Sequence, residues 1–285
     1  MELIRTAAEL RATTDRWRDA GVTVALVPTM GALHEGHDGL IGRARRERDR
    51  VVVSIFVNPL QFVRGEDFDR YPRDEDTDVA RATSLGVDAV WAPSLDEMYP
   101  PGVALAEPDP GPVGEVFEGV ARPGHFAGVL KAVHRLLDVT GPCAAYFGEK
   151  DAQQLFLVRR MVDDLGMPDT IVGCVTVREP DGLARSSRNA YLSPEERDQA
   201  GCLFLGLSEA AALARAGERS APVLVAAIAR EVGATPLARL EYAAVVDERT
   251  FEPVDTLDGP VRAIVAARFP GTRLIDNLPL PRGSG

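Results

Sequence analysis

Apolar runs alternate with helical patterns along the first part of the chain, and this alternation limits the possible folds more than any other feature. The run Val51–Val57 is almost continuously apolar, as expected of a strand that is covered on both faces. Similar runs are found at residues 24–27, 88–91, 143–147 and 171–177. Strands that alternate with helices are typical of βαβ units, so we predict an α/β fold with a Rossmann-like, doubly wound parallel sheet.

Two segments of this first part are harder to interpret. Residues up to about Ala20 have helical spacing, which predicts an opening helix with Leu3, Leu10 and Trp17 facing the core. Residues 94–124 are rich in Pro and Gly and show little periodicity. We predict a long connection there, with short strands inside it. Connections of this length are often functional.

The alternation of predicted strands and helices ends after Val177. Ser193 to Glu196 form a capping-box pattern with Pro194 at the first helical position. Two helices rich in Ala and Leu follow, ending near residues 214 and 232, and then strand candidates at 240–246, 261–268 and 272–280. We therefore predict a first domain over residues 1–176 and a smaller α+β domain over 177–285, which could act as a lid.

The stretch Val24–His37 contains the main candidate site. A buried strand ends at a turn with Gly31, and His34 and His37 then lead into a helix. Residues at i and i+3 share a helix face, and a helix N-terminus favours phosphate, so the pattern indicates a site for a nucleotide polyphosphate. A metal site is the alternative, with Glu35 or His125 as third ligand, but zinc prefers three or more protein ligands.

Charge and cysteine content narrow the function classes. A net charge of −11 opposes binding to a nucleic acid backbone. Cys143, Cys174 and Cys202 are widely spaced and form no C-x-x-C pattern, so we expect buried free thiols in a reducing compartment. The sequence shows neither a signal peptide pattern nor a run of membrane-spanning length, and the predicted location is cytoplasmic with no membrane partner.

The familiar phosphate-binding loops are absent from the sequence. Neither G-x-x-x-x-G-K-[ST] nor G-x-G-x-x-G after the first strand occurs. Other candidates are Lys150 and the cluster Arg185-Ser186-Ser187-Arg188, because ammonium and hydroxyl groups donate to phosphate oxygens. A surface ion pair between Lys150 and Asp151, or an ordinary polar loop at 185–188, explains these residues equally well.

The turns after three predicted strands agree in position. Met30–His37, Asn58–Phe62 and Gly148–Asp151 each follow the carboxyl end of a strand. Ligands of open parallel sheets bind at these strand ends, so we expect the three turns to form one site.

Several motifs resemble known families. The H-x-G-H pattern of His34 to His37 is similar to that of class I aminoacyl-tRNA synthetases and related nucleotidyltransferases. A more specific resemblance, to the pantoate–β-alanine ligases, extends over nearly the whole chain and keeps the family's order. Its motifs are Pro28–His37, Phe56–Phe62, Tyr71–Arg73, Gly124–Phe126, Phe147–Gln154, Asp181–Ala184, Ser186–Asn189 and Thr272–Asn277.

The resemblance implies an activity and partners. The family joins (R)-pantoate to β-alanine at the expense of ATP, through a pantoyl-adenylate, and releases AMP and pyrophosphate. The chain would therefore be an enzyme, with pantoate, β-alanine and ATP as partners, and a homodimer. Mg²⁺ is implied by ATP chemistry. We assign it no ligand, because a charged helix start explains the candidates Asp76 and Asp78 as well.

The resemblance also implies roles for individual residues. His34, His37, Lys150, Ser186 and Ser187 would be catalytic, with His37 as the acid. Pantoate would be held by Gln61 and Gln154 in a pocket lined by Met30 and Asn58. The implied ATP-binding set is Met30, Gly31, His34, His37, Gly148, Lys150, Asp151, Val177, Arg185, Ser186, Ser187 and Arg188.

One residue departs from the family pattern, and alternatives stay open. Arg185 occupies a position that is usually apolar, and it could stack on adenine, reach a phosphate or face solvent. The competing functions are a nucleotidyltransferase without an amine step, a non-catalytic ATP-binding module and a metal-dependent hydrolase.

Overall fold

The computed structural model describes residues 1–63 and 65–281. The chain divides into two compact units. The first unit is Met1–Glu149 with Gln153–Val175, and the second is Lys150–Ala152 with Thr176–Gly285. This division lies one residue from the predicted boundary at 176, and it assigns Lys150–Ala152 to the second unit.

The first unit is built on a six-stranded, entirely parallel sheet, which confirms the predicted fold class. The strand order is β1-β4-β3-β2-β5-β6. Val51, Val52 and Val53 of β3 are fully buried, as their continuous apolar run predicts. The strands are β1 (Glu2–Ile4), β2 (Val24–Thr29), β3 (Arg50–Ile55), β4 (Ala89–Trp91), β5 (Ala144–Gly148) and β6 (Thr170–Cys174).

Seven α-helices connect these strands among the described residues. The longest of them, α6, buries an apolar stripe that includes Val129, Val133 and Leu137. The helices are α1 (Ala7–Asp19), α2 (Glu35–Glu47), α3 (Glu75–Ser84), α4 (Leu95–Met98), α5 (Glu118–Ala121), α6 (His125–Thr140) and α7 (Ala152–Asp164).

The prediction of a helix from the start of the chain was wrong. Residues Glu2–Ile4 form an edge strand, in which Leu3 pairs with Val90 and is 42% exposed. The helix begins only at Ala7, because Thr6 and Glu9 form a capping box there. Leu10, at the predicted core position, is fully buried.

Two further expectations are corrected. Within 94–124 the described backbone forms short helices, α4, α5 and the 3-10 turn Pro112–Glu115, instead of strands. The strand predicted over 171–177 ends at Cys174, because Gly148, its last partner on β5, ends there too. Val175 beyond it is 80% exposed.

The second unit is a small α+β domain, as predicted. Its sheet has the order β7-β8-β9 and is antiparallel throughout. Helices α9 and α10 contribute Leu207, Leu224 and Ile228 to one core with the sheet. The elements are α8 (Pro194–Gln199), α9 (Cys202–Arg215), α10 (Ala221–Gly233), β7 (Arg239–Asp247), β8 (Val261–Arg268) and β9 (Arg273–Pro279).

The three cysteines are in the state that the sequence predicts. Cys143, Cys174 and Cys202 are buried and free. Burial raises the pKa of the Cys143 thiol well above its usual value. Within residues 1–63 and 65–281, every helix is too short or too polar to cross a bilayer.

Candidate active site at the strand ends

The topology places the histidine turn at the switch point of the parallel sheet. From β2 the chain adds β3 and then β4 on one side, whereas β5 and β6 lie on the other side. The turn after β2 leads directly into α2. Ligands of doubly wound sheets bind at this kind of position, outside the carboxyl ends of the strands.

The two imidazoles of this turn are held by backbone groups. His34 is the N-cap of α2, and its Nδ1 accepts a hydrogen bond from the Gly36 N–H at 3.0 Å. The Nδ1 of His37 accepts one from the His34 N–H at 3.2 Å. Because each Nδ1 acts as an acceptor, the proton of each neutral ring lies on Nε2. The ring centroids are 4.2 Å apart, so the two rings form one cluster at the helix N-terminus.

A buried carboxylate fixes the loop before His34. The oxygens of Asp78 on α3 accept hydrogen bonds from the backbone N–H groups of Ala32, at 2.8 Å, and Leu33, at 2.7 Å. Ala32 has a positive φ of 51°, which is costly for a residue with a side chain. Successive N–H groups in such a turn form a concave anion site, and here the anion is Asp78 itself.

Gly31 is required by both space and backbone conformation. Its φ is +80°, and a Cβ atom at this position would lie 2.7 Å from an oxygen of Asp78. Its N–H donates to the Thr29 hydroxyl at 3.1 Å, and that hydroxyl donates to the Ser54 carbonyl at 2.7 Å. The conformation of the turn between β2 and α2 is therefore fixed by these hydrogen bonds and by the close approach of Asp78.

The predicted pantoate-binding residues of the first unit form a second cluster. Gln61 donates from its amide nitrogen to Met30 Sδ, at 2.8 Å, and accepts from Asn58 at 3.2 Å. Asn58 is 1% exposed, and its amide also contacts Leu60, Tyr99 and Gly128. All four hydrogen-bonding positions of the Asn58 amide are therefore used, so Asn58 orients Gln61 instead of presenting a polar group of its own.

His125 and Arg122 hold the main chain of Gln61. The Nδ1 of His125 lies 2.7 Å from the Gln61 carbonyl, and Arg122 donates to the same oxygen at 3.2 Å. Arg122 also lies 2.8 Å from His125 Nε2 and pairs with Glu66 through both carboxylate oxygens. An arginine can only donate, so Nε2 accepts and Nδ1 carries the proton. Burial, followed by the nearby Arg122, lowers the pKa of His125 to about 4.

A cavity of about 330 Å³ lies beside this cluster in the first unit. Met30, Phe56 and Pro59 form part of its apolar wall, and Arg73 and Asp78 are among its polar residues. Cavities of this size and mixed lining are typical of small-molecule sites.

The remaining predicted residues of the first unit lie at the ends of β5 and α7. Gly148 is the last residue of β5, and Gln154 is half-buried in the first turn of α7. Its neighbour Gln153 is buried and bridges the carbonyls of Val113 and Val116, so it supports the long connection.

Lys150 belongs to the second unit, where β9 holds its main chain. The amide nitrogen of Asn277 donates to the Lys150 carbonyl at 2.8 Å. The Lys150 ammonium is 3.8 Å from Asp151, the ion pair that the sequence allowed, and its side chain is 18% exposed. An ion pair of this length contributes little to stability, so it leaves the ammonium available for other roles.

The serine cluster caps a short helix in the second unit. Ser186 is the N-cap of the 3-10 helix Ser187–Tyr191 and accepts from the Arg188 N–H at 3.3 Å. Arg185 is paired with Glu179 at 2.9 Å, so it does not simply face solvent. The N–H of Arg185 donates to the carbonyl of Val177, which joins two residues of the predicted nucleotide set.

Sequence reasoning missed several supporting residues. Asp78 was considered only as a helper for a metal ion, whereas its two oxygens accept backbone N–H groups. Arg122 and Asn277 lay in or beside quoted motifs but received no role. The backbone groups that these three residues hold are 45 to 127 positions away in the chain, so local patterns carry no signal of them.

The fold and the histidine turn define a class: an α/β protein with a doubly wound parallel sheet that places histidines, not a P-loop, at the helix N-terminus of the switch point. Within the described ranges, no group of three or more His, Cys, Asp or Glu side chains is arranged to hold a metal ion. A sequence model of the pantoate–β-alanine ligase family matches residues 2–279. The chain belongs to this family.

Individual relatives agree with this assignment. The chain is 51% identical over 286 residues to the pantothenate synthetase of Rubrobacter xylanophilus, with 98% of each chain covered. It superposes on a crystal structure of pantothenate synthetase from Thermus thermophilus with a TM-score of 0.93 and 49% identity, covering 99% of this chain and 100% of that one. A pantoate–β-alanine ligase of Francisella tularensis, solved with beta-gamma ATP and β-alanine, is 32% identical with a TM-score of 0.78, covering 98% and 97%.

Proposed function

We propose that this chain ligates pantoate to β-alanine in two steps at the expense of ATP. In the first step the pantoate carboxylate attacks the α-phosphorus of ATP, which gives pantoyl-adenylate and releases pyrophosphate. In the second step the β-alanine amine attacks the acyl carbon, an N–H proton is lost, and AMP leaves. The observation that carries this proposal is the histidine pair at the α2 N-terminus, with both Nδ1 atoms engaged by the backbone.

The histidines stabilise the triphosphate. Their Nε2–H groups are donors that suit phosphate oxygens, and the N-terminus of α2 adds its partial positive charge. His37 is the acid that assists the departing pyrophosphate. Displacement at phosphorus depends on positioning and charge stabilisation more than on covalent help from the protein, and a fixed pair of donors supplies both.

Lys150 and the serine cluster carry the other charge-stabilising roles. Lys150 neutralises charge at the α-phosphate during attack, and Ser186, Ser187 and Arg188 bind the departing pyrophosphate. The proposed ATP contacts of the second unit also include Arg185 and Asp151, and those of the first unit include Met30 and Gly31 in the loop after β2. Gly148 and Val177 contact the adenosine through their backbones.

Pantoate is selected by neutral groups. Gln61 and Gln154 bind its hydroxyls, because an amide both donates and accepts. The contacts from Asn58 and Met30 support this role for Gln61, because they fix which end of its amide donates.

Mg²⁺, location and assembly complete the proposal. Asp78 is engaged by backbone N–H groups, and the described residues contain no group of three or more His, Cys, Asp or Glu side chains that could hold a metal ion, so Mg²⁺ would be carried by the ATP phosphates. We also propose a cytoplasmic homodimer in which the second unit closes as a lid. Light scattering tests whether the protein is a dimer. Small-angle scattering with ATP and pantoate tests closure, because a second unit that closes as a lid predicts a more compact protein when both ligands are present.

The decisive experiment is ATP–pyrophosphate exchange with pantoate present and β-alanine absent. Exchange that requires pantoate supports the adenylate and identifies the acid substrate. His37→Ala and Lys150→Ala proteins that remain folded should lose it. If AMP forms only after β-alanine is added and no exchange occurs, the stepwise mechanism is wrong. AMP in neither condition would leave a non-catalytic ATP-binding module.

A further inference from the structure

Two adjacent residues of β9, Asp276 and Asn277, lie at the centre of a buried polar network in the second unit. They end the closing motif of the sequence, to which no role was attached. Asp276 is 4% exposed and Asn277 is 3% exposed, in a strand that otherwise packs apolar residues such as Leu274 into the core. Buried polar side chains are costly unless every group is paired, so such a pair requires an explanation.

Asp276 is fixed by an arginine on the neighbouring segment. Arg178 donates to both of its carboxylate oxygens, at 2.6 and 2.9 Å, and also to the Gly182 carbonyl at 2.9 Å. The Arg178 guanidinium lies 4.3 Å from the ring centroid of Phe204, which restricts it further. Asp276 in turn accepts from the Asn277 N–H at 2.7 Å. This end of the network holds the backbone of β9 in place.

The side chain of Asn277 has a fixed orientation. Its Oδ1 accepts from Arg262 Nη1 at 2.5 Å, and Arg262 pairs with Glu248 at 2.9 Å. An arginine has no acceptor, so Oδ1 must face Arg262 and the amide nitrogen must face the other way. The amide nitrogen is the atom that donates to the Lys150 carbonyl at 2.8 Å.

From this geometry we infer that Asn277 is a positioning residue that acts through the main chain of Lys150. The Asn277 donor holds the Lys150 carbonyl, which is bonded to the Cα atom that carries the Lys150 side chain, and Asp276, paired with Arg178, holds the N–H of Asn277. A reaction slows when the side chain that must contact a developing charge is displaced, and a shift of its backbone by a fraction of a bond length is sufficient. The inference rests on the proposed function only for the role of Lys150, since the contact itself is independent of it.

Two substitutions separate this role from a purely structural one. Asn277→Asp keeps an acceptor for Arg262 but replaces the donor to Lys150 with an acceptor. Asn277→Ala removes both contacts. Gln199→Ala is the matched control, because Gln199 also makes one side-chain contact to a backbone group of the second unit, the Leu237 N–H at 3.0 Å.

The first readout is ATP–pyrophosphate exchange with pantoate. Both Asn277 variants should lower the maximal rate about tenfold while the KM for pantoate changes less than about twofold. Gln199→Ala should match the parent protein. A full rate in Asn277→Asp would overturn the inference, because it would show that only the Arg262 contact matters.

The second readout requires no activity. Hydrogen exchange of the amides at 150–152, measured without substrates, should accelerate in both Asn277 variants and stay unchanged in Gln199→Ala. Unchanged protection in the Asn277 variants would also overturn the inference. If the parent protein shows no pyrophosphate exchange at all, the proposed function fails, and this second measurement still decides whether Asn277 holds the segment.

Discussion

A carboxylate oxygen of Asp78 lies 2.7 Å from the backbone nitrogen of Leu33, which ties α3 to the loop that precedes the histidine pair. The same carboxylate accepts from the N–H of Ala32, whose positive φ would otherwise be unfavourable. The loop therefore depends on a charge that is 45 positions away in the chain. Removing that charge should affect His34 and His37 without touching either of them.

We expect Asp78→Asn to lower pantoate-dependent exchange about tenfold, because one backbone N–H loses its acceptor and the loop relaxes. The unsatisfied buried group should cost about 1–3 kcal/mol of unfolding free energy, measured in urea. Asp49→Asn is the control, since Asp49 accepts from the Thr23 N–H at the amino end of β2. Equal losses of exchange in both variants would show that stability, and not the loop, is responsible.

Gly31→Ala should be far more harmful than Gly21→Ala. Both glycines have φ near +80°, so each substitution carries a backbone cost of about 1–2 kcal/mol. A Cβ at Gly21 would meet no atom within 4 Å beyond its chain neighbours, whereas a Cβ at Gly31 would lie 2.7 Å from an oxygen of Asp78. We expect Gly21→Ala to retain full exchange and Gly31→Ala to lose most of it at a temperature where both are folded. Similar exchange in the two proteins would contradict the close contact.

The two functions of His34 can be separated by substitution. Asn is a good N-cap, so His34→Asn should keep the contact to the Gly36 N–H and stay within about 0.5 kcal/mol of the parent protein. It lacks the Nε2–H donor, so exchange should fall about 100-fold. His34→Ala should lose about 1 kcal/mol of stability as well. Full exchange in His34→Asn would remove His34 from phosphate binding.

Stability should fall at mildly acidic pH because of His125. Its pKa is about 4 in the folded protein against an ordinary 6.5, so between these values the unfolded chain binds more protons. The unfolding free energy should therefore decrease as pH falls from 6.5 toward 4, by at most about 1.4 kcal/mol per pH unit.

His125→Gln keeps hydrogen-bonding groups but does not titrate. The unfolding free energy of this variant, measured in urea between pH 6.5 and 5, should depend less steeply on pH than that of the parent protein. The difference between the two proteins removes the contribution of the carboxylates, which both proteins share. Identical slopes would mean that His125 binds protons equally in the folded and unfolded states, which would contradict a lowered pKa in the folded protein.

The strands with long apolar runs were predicted well, and so were the three strands of the second unit, β7, β8 and β9. The run at Val51–Val53 is buried on both faces, and such a pattern has few other interpretations. The edge strand Glu2–Ile4 was missed because three residues hold too little periodicity to distinguish a strand from a helix. Strand ends depend on the partner strand, as at Cys174 and Gly148, and a single segment does not contain that information.

The candidate site also contains features that could be predicted from the sequence and features that could not. The spacing of His34 and His37 was sufficient to predict that both rings share one helix start. Asp78, Arg122 and Asn277 act through backbone groups of distant residues, and backbone groups leave no trace in the sequence. The groups proposed to touch substrates lie in motifs of the sequence, whereas the contacts that hold them in position depend on the fold.

The three residues Lys150–Ala152 belong to the second unit although the first unit precedes and follows them in the chain. Neither unit is therefore a contiguous piece of the gene product. A fragment ending at 176 would contain Lys150 but not Asn277, and a fragment beginning at 177 would contain Asn277 but not Lys150. A chimera made from two relatives by a single crossover near residue 176 would combine Lys150 from one protein with Asn277 from the other. We therefore expect residues 150–152 and the strand that carries Asn277 to be inherited together.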